Sequence, residues 1–134
     1  MDLIIDANIL FAALIKDSLT IDLIFNENLH LFAPEFLLEE FYKHKQEILN
    51  KTKRTEQDFE EIFNILKQII TIIPKEEFIE RFEYAFKISP DKNDSYYFAL
   101  ALKFNIGIWS NDNDLKKQNK VKIYTTFEIK YIIS

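Results

Sequence analysis

Apolar and polar positions along the chain switch repeatedly between a strand-like and a helical rhythm. Leu3-Ile4-Ile5 is a short run with no polar position, as expected of a strand buried on both faces. From Ile9 to Ile15 the apolar residues are nearly continuous and predict a helix. Ser18 or Thr20 stands where a cap would open a second short helix through Phe25. Leu29 to Phe32 reads as a second strand, stopped by Ala33-Pro34, and Pro34 suits the first turn of a following helix. That helix carries Leu37, Phe41 and Ile48 on one row and Leu38, Tyr42 and Leu49 on the next. Thr55 with Asp58 predicts a capped start, and Phe59, Ile62, Phe63, Leu66, Ile69 and Ile70 follow at steps of three and four, the clearest amphipathic helix in the chain. Thr71-Ile72-Ile73 reads as a brief strand before Pro74, and Phe78, Ile79, Phe82 and Phe86 mark another helix. After a loop at Ser89–Asn93, Asp94 to Phe104 is an almost wholly apolar helix and therefore a buried one. Ile106–Trp109 and Val121–Tyr124 read as two more strands around a polar loop, and Thr126–Ile132 as a last helix. Strands alternating with helices predict a parallel sheet covered on both faces. The expected fold is α/β, a single-domain α/β/α sandwich with four to five parallel strands, because no linker, repeat or low-complexity tract interrupts the 134 residues.

Composition removes several chemistries. The one glycine, Gly107, excludes a Gly-rich phosphate loop and a dinucleotide-binding turn. The absence of cysteine excludes disulfides, thiolate metal sites and a cysteine nucleophile. Two histidines, His30 and His44, do not make a histidine-built metal centre. The N-terminal segment carries Asp2 and Asp6 where a secretory signal needs positive charge, and its apolar run is too short to span a bilayer. A cytoplasmic protein with no membrane association is expected.

The acidic residues fall at telling places. Asp6 directly follows the first strand, and Asp112 and Asp114 directly follow the strand ending at Trp109. In a parallel sheet the carboxyl ends of the strands share one edge, where ligands of open α/β sheets bind. Glu39 and Glu40 begin the helix after the second strand, and Asp94 opens the buried helix, both on that same edge. Singly, each has an ordinary use: Asp6 and Asp94 as helix caps, the glutamates as first-turn residues, Asn111-Asp112-Asn113-Asp114 as loop composition. Together they repel one another, and a fold keeps such a cluster when a cation neutralises it. Carboxylates alone suit Mg²⁺ or Mn²⁺ rather than zinc.

The segments LIIDANILFAAL, APEFLLEEFYK, SPDKNDSYYFALAL and WSNDND resemble, in order, the four acidic motifs of the PIN domain family, and the likeness runs from Leu3 to about Phe127. The resemblance implies a small parallel α/β fold and, as in many PIN domains, a Mg²⁺- or Mn²⁺-dependent ribonuclease, including the toxins of VapBC-type toxin–antitoxin pairs. It implies catalytic roles for Asp6, Glu40, Asp94 and Asp112, with Asp6, Asp94, Asp112 and Asp114 as metal ligands and Asn8 and Ser110 supporting them. Glu39 is the competing register for Glu40, and Asp91 for Asp94. The usual threonine of the last motif is here Ser110, which keeps the hydroxyl. RNA, a homodimeric second copy and, for a toxin, an antitoxin protein are the implied partners. The alternative is a catalytically inactive PIN-fold module that binds RNA or protein.

Net charge does not advertise a nucleic-acid binder: 17 Lys and Arg stand against 22 Asp and Glu, a net of −5. Without Asp6, Glu40, Asp94, Asp112 and Asp114, however, the two signs balance. Phosphate contacts are sought in Lys116 and Lys117, followed by Lys120 and Lys122, and between Lys43 and Arg54. Both clusters equally suit a solvated surface. Tyr96 and Tyr97 read as core or dimer contacts in preference to base-stacking platforms.

Overall fold

The computed structural model describes residues 1–15 and 18–134, Ser18 by its backbone alone, so a cap at Ser18 lies outside the described residues. Five strands form one sheet, β1 (Asp2–Ile5), β2 (His30–Pro34), β3 (Thr71–Ile73), β4 (Gly107–Trp109) and β5 (Ile123–Tyr124), in the order β3-β2-β1-β4-β5. Every pairing is parallel. The helices α1 (Ala7–Ile15), α2 (Ser18–Ile24), α3 (Phe36–Lys43), α4 (Lys45–Thr52), α5 (Glu56–Ile69), α6 (Phe82–Ile88), α7 (Ser95–Phe104) and α8 (Thr126–Ile133) flank the sheet as the expected α/β/α sandwich.

The central position of β1 explains its unbroken apolar run. Leu3, Ile4 and Ile5 are wholly buried, with β2 on one side and β4 on the other. The chain first builds outward through β2 to β3, then returns to lay β4 and β5 on the opposite flank of β1. That reversal opens a crevice beyond the carboxyl ends of β1 and β4. Helix α7 packs against β1, β2 and β4, and burial of Tyr97, Phe98, Ala99, Leu100 and Ala101 accounts for its apolar sequence.

Three local expectations change. Pro34 ends β2, paired with Ile73, and Glu35 precedes α3. Pro34 is tolerated there because the β1 pairing already stops at Phe32, so its missing N–H leaves no ladder bond unmade. The single helix expected after Pro34 breaks at His44, whose ring lies 4.8 Å from that of Phe11 and whose Nδ1 is 3.2 Å from Glu47. The bend lets Phe41 and Ile48 bury together. The helix expected from Phe78 begins at Phe82, after two short 3₁₀ turns that leave Phe78 buried at their joint. The start of α5 is as expected: Thr55 Oγ1 accepts from the Asp58 N–H at 3.1 Å and Asp58 Oδ2 accepts from the Thr55 N–H at 3.3 Å. Thr20 lies inside α2. No helix among the described residues is long and apolar enough to cross a membrane.

Candidate active site

The ends of β1 and β4 are tied before any acid is considered. The Asp6 N–H donates to the Trp109 carbonyl at 3.2 Å, and the Ser110 N–H donates to the Tyr124 carbonyl at 3.0 Å. Asp6 therefore lies beside Ser110 although 104 positions separate them, and the Ser110 hydroxyl donates to Asp6 Oδ2 at 3.0 Å. Asp6 Oδ1 accepts from the Asn8 N–H at 3.4 Å, so the cap reading and the site reading of Asp6 coexist; Asn8 itself is exposed. Ser110 Oγ also accepts from the Asp112 N–H at 3.1 Å, which fixes where the loop after β4 departs. From the far side of α3, Glu40 reaches inward, and its Oε1 accepts from the buried Tyr97 hydroxyl at 2.5 Å. Asp94 occupies the cap position of α7 but makes no capping hydrogen bond, so helix capping does not account for its carboxylate.

Electrostatics show that these acids share one field. Burial pushes the Asp94 carboxyl up to about 7, and the charges of Asp6, Asp91, Glu40 and Asp112 add to it. Asp6 is only 6% exposed, and burial with the Asp112 charge raises its carboxyl despite the Ser110 bond. Glu40 is raised by burial and by Asp6, while the Tyr97 bond and the charges of His44 and Lys43 oppose the rise. Burial and the Glu40 charge hold the Tyr97 phenol well above its ordinary value. The carboxyls of Asp6, Glu40 and Asp94, from three separate segments, thus all hold their protons more tightly than usual, and the Asp112 charge adds to the rise at Asp6 and Asp94.

Other expected positions lie apart. Glu39 is exposed and turns to the β3 side of α3, where it lines a recess with Phe36 and Tyr96; Glu40 is the glutamate facing Asp6 and Asp94. Asp91 caps the turn before α7 through the Asn93 N–H at 2.9 Å; its carbonyl accepts from the Asp94 N–H at 3.0 Å, and its charge adds to the rise of the Asp94 carboxyl. Asp114 is exposed and pairs with Lys117 at 3.1 Å. Lys116 is tied to Glu128 at 2.8 Å. In the Lys43–Arg54 cluster, Lys51 is spent on Glu47 at 2.8 Å and Lys45 lies 3.9 Å from both Glu56 and Glu60.

Two supports of the site were not legible as such. Tyr97, expected as a core or dimer residue, is the donor that holds Glu40. Thr126 accepts from Trp109 Nε1 and Asn111 Nδ2, both at 3.0 Å, and its N–H donates to Asn111 Oδ1 at 2.9 Å, clamping the segment before Asp112 to the start of α8. Thr126 opens the last helix in the sequence, and nothing in its spacing announces contacts 15 and 17 positions back along the chain.

Among the described residues, no three His, Cys, Asp or Glu side chains are gathered closely enough to hold a metal ion as they stand. Asp6 turns both oxygens to donors of the protein, and Glu40 and Asp112 turn one each, Asp112 Oδ1 accepting from the Asp114 N–H at 3.0 Å. The donor chemistry nevertheless fits a hard divalent cation: carboxylate oxygens only, mutually repelling, with no nitrogen or sulfur among them. No curated protein matches the sequence. The sequence pattern of the PIN domain matches residues 4–131, nearly the whole length, and it spans every segment that contributes to this site. The chain belongs to the PIN domain family, whose members are generally nucleases.

Proposed function

We propose that this protein is a metal-dependent endoribonuclease that hydrolyses RNA phosphodiester bonds at the cluster of Asp6, Glu40, Asp94 and Asp112. The observation that carries the reading is the field at Asp94, a carboxyl pushed up to about 7 by burial and by acids from other segments, with no capping bond to explain its presence. Asp6, Asp94 and Asp112 would hold Mg²⁺ or Mn²⁺. The bound cation supplies positive charge at the scissile phosphate and lowers the pKa of water. Glu40, held by Tyr97, would accept a proton from the attacking water, and burial raises the proton affinity of its carboxyl. Ser110 fixes the Asp6 rotamer, and Asn8 lends its backbone N–H to the same carboxylate. Lys117 and Lys120, which line an open recess of about 390 Å³, would contact phosphates; Lys116, on the same recess, contributes once released from Glu128. Asp114 serves by steering Lys117.

The test is cleavage of single-stranded and structured RNAs with Mg²⁺ or Mn²⁺, beside calorimetric titration of the protein with Mn²⁺. Wild type should cut and bind, and Asp6→Asn should do neither. Equal cleavage by both proteins identifies a contaminant, and absence of both cleavage and Mn²⁺ binding leaves the inactive binding module as the reading. The toxin form of the proposal adds a homodimer and a small antitoxin. Sedimentation of the purified protein and an adjacent reading frame for a DNA-binding partner test those two parts.

A further inference from the structure

A second feature lies on the same sheet edge, on the β3 side of the carboxylates. Phe36, Tyr96 and the fully buried Phe78 form the aromatic wall and floor of a recess of about 140 Å³, and Glu35, Glu39 and Lys75 form its rim. The rings of Phe36 and Tyr96 are 5.0 Å apart, and Phe36 also lies 6.4 Å from Tyr97, the residue that holds Glu40. The recess and the acid cluster therefore share two helices. On α3, Phe36 and Glu39 face the recess while Glu40 faces the cluster. On α7, Tyr96 faces the recess while Tyr97 faces the cluster.

The rim is chemically asymmetric. Glu35 Oε1 is fixed by the Lys75 N–H at 2.9 Å, and the Lys75 ammonium sits 5.5 Å from the Tyr96 ring centroid. Glu39 is exposed and, among the described residues, has neither a hydrogen-bond nor an ion-pair partner. An aromatic recess edged by acceptors and one cationic donor suits a flat ring with adjacent N–H donors beside a carbonyl. Single-stranded RNA is read in this way, by aromatic contact and by hydrogen bonds to the base edge. Guanine alone among the four bases presents two neighbouring donors, N1–H and N2–H, next to the acceptor O6. Glu39 matches the two donors and Lys75 matches O6.

We infer that this recess is a guanine-selective subsite, which seats the base next to the phosphodiester held at the carboxylate cluster. The inference rests on the nuclease reading for its place in the reaction and on the recess alone for its base preference. Tyr96 acts in it as a wall.

The experiment measures binding apart from turnover. The Asp6→Asn protein in EDTA is titrated against labelled hexauridylates that carry a single guanine, adenine or cytosine, followed by fluorescence anisotropy. The guanine oligomer should bind about tenfold tighter than the others, the discrimination expected of one two-bond carboxylate contact. Adding Glu39→Gln or Lys75→Ala should erase most of that preference. Both positions are exposed, and melting curves establish that the variants fold. Cleavage sites of the unaltered protein should map next to guanines. A flat response to base identity overturns the subsite even if RNA is cut. A guanine preference that depends on Glu39 supports it even if no RNA is cut, in which case the nuclease reading alone fails. Capture of an arginine peptide through Glu39, with no guanine preference, reassigns the recess to a protein partner and overturns the inference.

Discussion

Replacing Asp94 by Asn isolates the repulsion inside the carboxylate cluster. The Asp94 carboxyl stands at about 7 against an ordinary 3.8. That displacement, about 3 on the pH scale, corresponds to roughly 4 kcal/mol between charged and neutral forms. Asp94 is only half-buried, and solvent screening brings the usable part to about 1–2 kcal/mol. Asn removes the charge and forfeits no capping bond, because Asp94 makes none. In EDTA at about pH 8 the variant should therefore be more stable than wild type by about 1–2 kcal/mol, a gain of about 3–8 °C in Tm. The pH dependence follows from the direction of the displacement. The unfolded chain releases this proton near the ordinary 3.8 and the folded chain near 7, so between those values the native state holds the extra proton. Wild-type stability falls as pH rises through that window, Asp94→Asn lacks this part of the slope, and the two proteins converge near pH 4. Adding Mg²⁺ or Mn²⁺ should stabilise wild type more than the variant, since a ligand that binds only the folded state raises its stability. Thermal melts of both proteins across pH 4–8, with EDTA and with metal, read all of this. A variant less stable than wild type at pH 8, together with a metal-indifferent wild type, refutes the reasoning and returns Asp94 to the helix dipole.

Tyr97→Phe deletes only the hydroxyl that holds Glu40 and should lower the cleavage rate at saturating RNA while leaving RNA affinity within about twofold; a change confined to affinity contradicts the assigned role. Thr126→Val leaves Trp109 Nε1 without its acceptor and frees Asn111, so urea unfolding should show a loss of about 1–3 kcal/mol; a neutral result dismisses the clamp. Gly107→Ala places a Cβ 2.6 Å from a Tyr124 ring carbon and 2.9 Å from the Lys122 carbonyl oxygen, forcing β4 and β5 apart. The expected loss is about 1–3 kcal/mol, and an unchanged denaturation midpoint would show that the edge strand yields freely.

Local chemistry was read well from sequence where it depends on near neighbours. The Thr55–Asp58 capping box, the buried character of α7 and the placing of acids at strand ends all follow from spacing and residue type. What spacing cannot carry is the choice between neighbours on a helix. Glu39 and Glu40 are the same residue type at adjacent positions of α3, and only the packing of their surroundings assigns one to Tyr97 and the other to the aromatic recess. The break at His44 was hidden for a related reason. The break coincides with packing of His44 on the distant ring of Phe11, whereas the apolar rows on either side continue at helical spacing. Pro34 was placed in a helix because its preference for the first helical turn is general, while its place in β2 depends on where the β1 pairing stops. Asp114, which the family resemblance counts among the metal ligands, is exposed and pairs with Lys117 at 3.1 Å, a partner that its place in the loop does not announce.

The hydrogen bond between Ser110 and Asp6 has a consequence in time. The first acid of the cluster emerges early in synthesis and the last more than a hundred residues later. Asp6, Glu40 and Asp94 acquire a common edge with Asp112 only when β4 settles beside β1, a long-range pairing whose loop-closure entropy is large. A growing or partly unfolded chain therefore lacks the assembled cluster. Under the proposed activity, the message being translated is safe from its own product until the final strands dock. Any later detachment of the β4–β5 flank would disarm the protein while β1, β2 and β3 remained paired.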